Sequence, residues 1–211
     1  MNLCYYIQMN KKKLIFVAVT AGIYLSGCGD KQNIIVKPSE YNSSKATVEL
    51  YENGIKKMSF AALLGRNGVA KKGEKKEGDG KTPSGKYPLT ALFGNTNNNP
   101  NMPFIETYAD LYCVDDSKSK SYNKIIDANK TAKDYDSFEY MLREDGQYDA
   151  GAVVGYNEDG EPMKGSCIFI HVQKTDSSPT AGCIAMRRED ILMLLKAIDK
   201  SKKPTVEIKE H

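Results

Sequence analysis

The chain has 211 residues, with 30 Lys and Arg against 27 Asp and Glu and a formal net charge of +3. That excess lies within residues 1–27, which hold three lysines and no acidic residue, so the remaining 184 residues balance 27 basic against 27 acidic groups. No basic surplus is left to attract nucleic acid, and 184 residues are enough for one domain with its own core.

Lys11-Lys12-Lys13 precede an apolar run from Leu14 to Leu25, which ends on the small residues Ser26-Gly27-Cys28. A basic stretch, a short apolar run and small residues at the end form a secretory signal. The run falls short of the roughly 18 to 20 apolar residues that span a bilayer. Leu25-Ser26-Gly27-Cys28 is similar to the bacterial lipobox, whose cysteine is lipidated and becomes the mature N-terminus; a plain signal with a chance cysteine is the alternative. Met9-Asn10-Lys11 reads as a natural start, which would make Met1–Gln8 an upstream extension. The expected organisation is a signal at 1–27, a polar tether at 28–44 without periodicity, and a folded domain at 45–211. The expected location is the cell envelope (the periplasm or the outer face of a membrane), with lipid on Cys28 as the anchor.

Ala46–Tyr51 alternates apolar and polar residues, and Asn53-Gly54 separates it from Ile55–Phe60, which predicts a hairpin. Gly65 to Gly85 is rich in Gly and Lys and reads as a loop, with Lys71, Lys72, Lys75 and Lys76 as a solvated run. Lys86–Phe93 predicts a strand in which Pro88 implies an edge or a bulge. An Asn-rich loop follows at Asn95–Pro103, then a short strand at Leu111–Val114. Ser137–Leu142 predicts a short helix with Ser137 as its N-cap. Tyr148–Tyr156 and Cys167–Val172 suit buried strands. Ile191, Leu194, Leu195 and Ile198 fall at helical spacing, and Thr205–Ile208 closes the chain as a strand. No internal repeat is visible. Many short strands with one or two helices predict a mainly β fold.

The residues with chemistry are few. The only histidines are His171 and the terminal His211. A free thiol titrates near pH 8.5, so a cysteine nucleophile needs a base, and His171 is the one partner placed to serve Cys183. A buried cysteine on a strand and a histidine satisfied in the core are the plainer alternative. A thiolate beside an imidazolium predicts a coupled titration with a lowered thiol pKa. Gly182 precedes the cysteine and permits close backbone approach, and backbone N–H groups around Gly182 and Cys183 are natural oxyanion donors. Cys113, Cys167 and Cys183 remain beyond the signal. Three is odd, so either all are free or one pair forms and one thiol stays reactive. Cys113 and Cys167 are expected as small buried apolar residues. No CxxC, HExxH or acidic calcium loop is present, so no metal or other cofactor is expected.

Two separated motifs carry a family resemblance. The first is Gly65-Arg66-Asn67-Gly68 followed by Lys76-Glu77-Gly78-Asp79-Gly80-Lys81-Thr82-Pro83-Ser84-Gly85. The second is Ile168-Phe169-Ile170-His171 followed by Pro179-Thr180-Ala181-Gly182-Cys183-Ile184-Ala185-Met186. In this order they resemble the YkuD-type L,D-transpeptidase catalytic domain, in its divergent branch with KxEGDGKTPxG and PTxGC motifs. Asp115-Asp116, Tyr122-Asn123 and Gly155-Tyr156-Asn157 are similar to that branch too, and the likeness runs from about Val48 to Ile208.

The resemblance implies a β-sandwich-like catalytic domain with a few short helices, acting as a monomer on peptidoglycan stem peptides. It implies attack on the bond after the third stem residue, a thioester on Cys183, His171 as base, and transfer of the acyl group to an amine. Thr180 takes the place of the motif's Ser/Thr, and a backbone carbonyl is expected to orient the imidazole. The commoner SHGCxR pattern has a second His where this chain has Ala181 and an Arg where it has Ala185; Arg187 and Arg66 are the candidate replacements for carboxylate binding. Hydrolysis by an L,D-carboxypeptidase and attachment of a protein to the wall use the same acyl-enzyme. A non-catalytic wall-binding lipoprotein is the remaining alternative. Sortases place His much farther upstream of Cys, and papain-like peptidases reverse the order.

Overall fold

The computed structural model describes residues 31–211. The expected signal, the second start at Met9 and the lipobox cysteine Cys28 lie outside the described residues.

The strands are β1 (Gln32–Pro38), β2 (Lys45–Glu52), β3 (Ile55–Leu63), β4 (Val69–Ala70), β5 (Thr82–Pro83), β6 (Gly85–Gly94), β7 (Phe104–Glu106), β8 (Leu111–Val114), β9 (Ile125–Asp127), β10 (Phe138–Tyr140), β11 (Ala150–Val154), β12 (Phe169–Val172) and β13 (Ile184–Met186). Helix α1 (Arg188–Ala197), a 3-10 turn at Lys200–Lys202 and β14 (Thr205–Ile208) complete the chain. The fold is mainly β, as the sequence predicts. Among the described residues no helix is long and apolar enough to cross a membrane.

The main sheet runs β11-β12-β13-β3-β2-β1-β14-β6, and β11 pairs with β6 as well, so hydrogen bonding closes around a ring of eight strands. β6 makes this possible through its length. Gly85–Pro88 pairs with β14, and Leu89–Gly94 pairs with β11 on the opposite edge. The register slips between Val153 and Val154, opposite Ala91 and Leu89. The bulge expected near Pro88 is therefore present, and the Pro88 carbonyl accepts the Gly155 N–H at 2.8 Å where β11 has ended. Inside the ring Ile34, Val36, Val48, Leu64, Ile170, Ile184, Met186 and Val206 are fully buried, together with Ile191 and Leu194 of α1.

Local chemistry accounts for the elements. Asn53 (φ 52°) and Gly54 (φ 79°) both occupy the left-handed region, which closes the β2–β3 hairpin. Helix α1 carries Glu189 and Asp190 in its first turn and Lys196 in its last, in accord with the helix dipole. Its C-terminal carbonyls are bound from outside. Asn99 Nδ2 donates to Leu195 O and Ile198 O, both at 2.7 Å, so one residue of the Asn-rich loop caps the helix.

Two expectations are corrected. Residues 32–38 do not belong to a tether. They form β1, between β2 and β14, with Ile34 and Val36 in the core and Gln32 Nε2 donating to Ala197 O at 2.7 Å. Three apolar residues among Lys, Asn, Gln, Pro and Ser were too few to read as a strand. Residues 137–142 do not form a helix. Phe138–Tyr140 is β10, paired with β8, and the Ser137 hydroxyl bonds Asp115 instead of capping. Cross-strand aromatic packing outweighs helical spacing there: Tyr112 stacks on Phe138 at 4.2 Å and meets Tyr140 edge-on at 5.2 Å.

Candidate active site

β12 and β13 are parallel neighbours, in a register that sets His171 opposite Ala185 and Ile170 opposite Ile184. Alternation then divides the two strands between faces. Ile170, Val172, Ile184 and Met186 point into the ring, while Phe169 and Cys183 join a second cluster with Cys113, Cys167, Leu111, Met141 and Tyr148. The small sheet β10-β8-β9 covers this outer face. Cys183 is 8 % exposed and His171 4 %.

Backbone pairing fixes the turn before Cys183. Gly65 bridges Thr180, with Thr180 N–H donating to Leu64 O and Arg66 N–H to Thr180 O, both at 2.9 Å. The Thr180 hydroxyl donates to Cys183 O at 2.7 Å and accepts Gly182 N–H at 3.1 Å. Thr82 supports the same carbonyl at 3.4 Å and accepts Gly65 N–H at 2.9 Å. Gly182 has no left-handed φ. Its surroundings are close, since a Cβ there would lie 3.1 Å from Lys81 O and 3.3 Å from Ile168 Cδ1.

Lys81 belongs to the loop bearing the EGDGKTP motif, so that loop packs directly on the turn. Asp79 organises it by accepting Lys75 Nζ at 2.6 Å and the N–H groups of Lys76 and Lys81 at 2.8 Å each. Burial opposes charge on Asp79, yet these donors hold its carboxyl below the usual carboxylate range. Lys75 departs from the solvated run expected of it. Its side chain is 5 % exposed, whereas Lys71, Lys72 and Lys76 are exposed.

The other motif segments converge on Cys167. Asn123 Oδ1 accepts Cys167 N–H at 2.8 Å, and its Nδ2 donates to Tyr156 O at 2.8 Å and Asn157 O at 2.6 Å. Cys113 and Cys167 form a disulfide between β8 and the segment leading into β12. The expectation that both are unpaired apolar residues is thus corrected. Each stands far from the other in sequence, and only the docking of the small sheet on the ring brings them together. Cys183 is the one free cysteine among the described residues.

His171 lies on β12 and Cys183 immediately precedes the neighbouring β13, but no hydrogen bond joins them. The Cys183 thiol donates to Cys167 O at 3.2 Å, and its sulfur accepts Phe169 N–H at 3.3 Å. Burial pushes the thiol well above its ordinary pKa, and the Glu139 carboxylate pushes it further. His171 Nδ1 lies 2.8 Å from Val172 O; a carbonyl only accepts, so Nδ1 carries the proton and Nε2 is left as an acceptor. Burial depresses the imidazole to about 4, against the weaker opposing effect of that carbonyl. The resting pair is therefore a neutral thiol and a neutral imidazole. The ion pair expected from the sequence is absent because burial disfavours the charged form of both groups.

Four further side chains frame the pair, and none stood out in the sequence. The Tyr148 ring meets His171 edge-on at 5.2 Å, and its hydroxyl donates to Glu139. Arg143 lies over the Tyr148 ring at 5.2 Å while forking onto Asp145. Glu139, Arg143 and Lys75 all act electrostatically on Cys183. They come from an insertion and a loop whose docking has no local sequence signal. Of the two arginines proposed to replace the motif's Arg, Arg66 lies beside the turn, packed over Gly80. Arg187 stands past the far end of β13, exposed and 3.5 Å from Asp176. A cavity of about 840 Å³ lies around Lys71–Lys75, Pro83–Tyr87 and Tyr156, and has neither Cys183 nor His171 in its wall. Among the described residues no group of His, Cys, Asp and Glu is arranged to hold a metal.

Together the closed β ring and the threonine-braced turn beside a histidine-bearing strand define a mainly β domain with one buried free thiol among the described residues. The family model of the L,D-transpeptidase catalytic domain (YkuD) matches residues 34–208, and the chain belongs to that family. The family is cysteine-dependent, has L,D-transpeptidase activity and acts on peptidoglycan stem peptides. No curated protein and no solved structure matches the chain.

Proposed function

We propose that the chain is a peptidoglycan L,D-transpeptidase in which Cys183 is the nucleophile and His171 the general base. The observation that carries this reading is the pair itself: a thiol at the end of a braced turn, with an imidazole on the adjacent strand whose Nε2 is free to accept. Rotation about the Cys183 side chain moves the thiol from Cys167 O towards Nε2. The imidazole takes the proton as sulfur attacks the carbonyl after the third stem residue. The backbone N–H of Cys183 receives the oxyanion, a contribution of roughly 3 to 4 kcal/mol, while the Gly182 N–H stays on the Thr180 hydroxyl. The D-amino acid leaves with the proton held by His171, and an acceptor amine then resolves the thioester. Arg143, stacked on Tyr148, also lines a surface hollow of about 530 Å³ with Tyr140, Leu142, Glu144 and Asp145. The same reading takes residues 1–27 as an export signal and Cys28 as the lipid-bearing residue at the cell envelope, on the strength of the lipobox.

The test is mass spectrometry after incubation with a carbapenem, an acylating β-lactam. One adduct on the Cys183 peptide, absent from Cys183→Ala, supports the assignment. An adduct elsewhere, or none, removes it.

A further inference from the structure

The Cys183 thiol is not held by its candidate base. Its proton goes to the carbonyl of Cys167 at 3.2 Å. That carbonyl belongs to a residue fixed three times over. Cys167 sits at φ 51°, a backbone conformation that costs energy for a residue with a side chain. Its N–H is bound by Asn123 Oδ1 at 2.8 Å, and its sulfur is tied to Cys113 on β8. A cavity of about 240 Å³ is walled by both half-cystines, Asn123, Ile125 and Phe169, giving the segment room to relax.

We propose that the Cys113–Cys167 disulfide is a positioning device that parks the Cys183 thiol on the Cys167 carbonyl, so that opening the disulfide raises the reactivity of the nucleophile. A hydrogen bond donated by the thiol stabilises only its protonated form. Losing the acceptor removes that preference and frees the thiol to turn towards the adjacent strand that carries His171. Reduction by a dithiol or a phosphine breaks the Sγ–Sγ bond. Two electrons and two protons are taken up, leaving thiols at Cys113 and Cys167. The dithiol becomes its own disulfide; the phosphine becomes an oxide with oxygen from water. The charged and titratable groups facing Cys183 are Glu139 from β10, Arg143 and Tyr148 from the segment before β11, Lys75 from the loop before β5, and His171 from β12. Glu139 is the cross-strand partner of Cys113, so the measurement is repeated in a Glu139→Gln background to take that charge out of the comparison. The proposal extends the reading of Cys183 as nucleophile and rests on it for any bearing on turnover.

The experiment measures alkylation of Cys183 by iodoacetamide against pH in the full chain, with adducts assigned to individual cysteine peptides. Cys113→Ser, with far-UV circular dichroism unchanged, is expected to alkylate Cys183 about tenfold faster at pH 7.5, with the midpoint displaced to lower pH. A purely structural bond would lower the melting temperature and leave that midpoint in place. An unchanged or raised midpoint overturns the proposal. If Cys113→Ser does not fold, graded phosphine treatment of the wild type decides. Cys183 alkylation rising with loss of the disulfide, ahead of loss of structure, supports the proposal; a rise only with unfolding overturns it. Carbapenem acylation, run in parallel, separates the two readings. A pH shift without any adduct leaves the thiol's positioning intact and removes the transpeptidase assignment, and an adduct without a shift does the reverse.

Discussion

The hydroxyl of Thr180 joins two backbone groups across the turn, donating to Cys183 O at 2.7 Å while accepting the Gly182 N–H at 3.1 Å. Thr180→Val keeps the shape and removes both bonds, leaving a backbone donor short of a partner. The expected loss is about 1–3 kcal/mol of stability, with slower carbapenem acylation. Thr180→Ser should restore most of both. Thermal unfolding and adduct formation over time provide the check, and a valine variant equal to wild type would show that the turn does not depend on this side chain.

Stability should fall in acid, with His171 responsible for part of the fall. Its folded pKa of about 4 lies below the ordinary value of 6.5, so between those limits the unfolded chain binds a proton that the folded chain excludes. Stability contributed by the neutral imidazole is full above 6.5 and is lost as pH falls through 4, up to about 3 kcal/mol. Urea unfolding at pH 7 and pH 4.5 measures it. His171→Gln should lose less between the two than the wild type does, and equal losses would refute the assignment.

The charges around Cys183 should act in opposite directions. Glu139→Gln removes a carboxylate that raises the thiol pKa, while its side-chain carbonyl still accepts from Tyr148. Alkylation should become several-fold faster at pH 8. Lys75→Met removes a cation and leaves Asp79 without its ion pair, so alkylation should slow and stability should drop by about 3 kcal/mol. Shifts of the same sign in both variants would mean that packing, not charge, governs the thiol.

Gly65→Ala tests the contact between the motif loop and the turn. The new Cβ would lie 2.4 Å from Gly80 O and 2.9 Å from the Lys81 backbone, neither of which is a flexible side chain. A loss of about 1–3 kcal/mol, together with slower acylation, is expected by calorimetry and adduct formation. A variant as stable as wild type would show that the two loops yield independently.

Elements with strong local periodicity were legible in advance. The β2–β3 hairpin announces itself through Asn53-Gly54, and α1 through Ile191, Leu194 and Leu195. β1 and β10 were not, because three apolar residues in a polar stretch, only two of which reach the core, or aromatics that pack only across strands, carry too weak a signature. Cys183 and His171 stood out by scarcity and spacing. Their protonation states did not, since those depend on burial beneath the insertion that carries Met141 and Tyr148. The same docking hid the disulfide, whose halves are separated by 54 positions.

β14 lies between β1 and β6, pairing Asn33 with Thr205 and Val206 with Tyr87. The first described strand and the last are thus direct partners, and the circle cannot shut until both are present. Such long-range pairing slows folding, because loop-closure entropy is lost before the contacts repay it. A chain cut before Thr205 would leave β1 and β6 without the strand between them and open the circle to edge pairing with other chains.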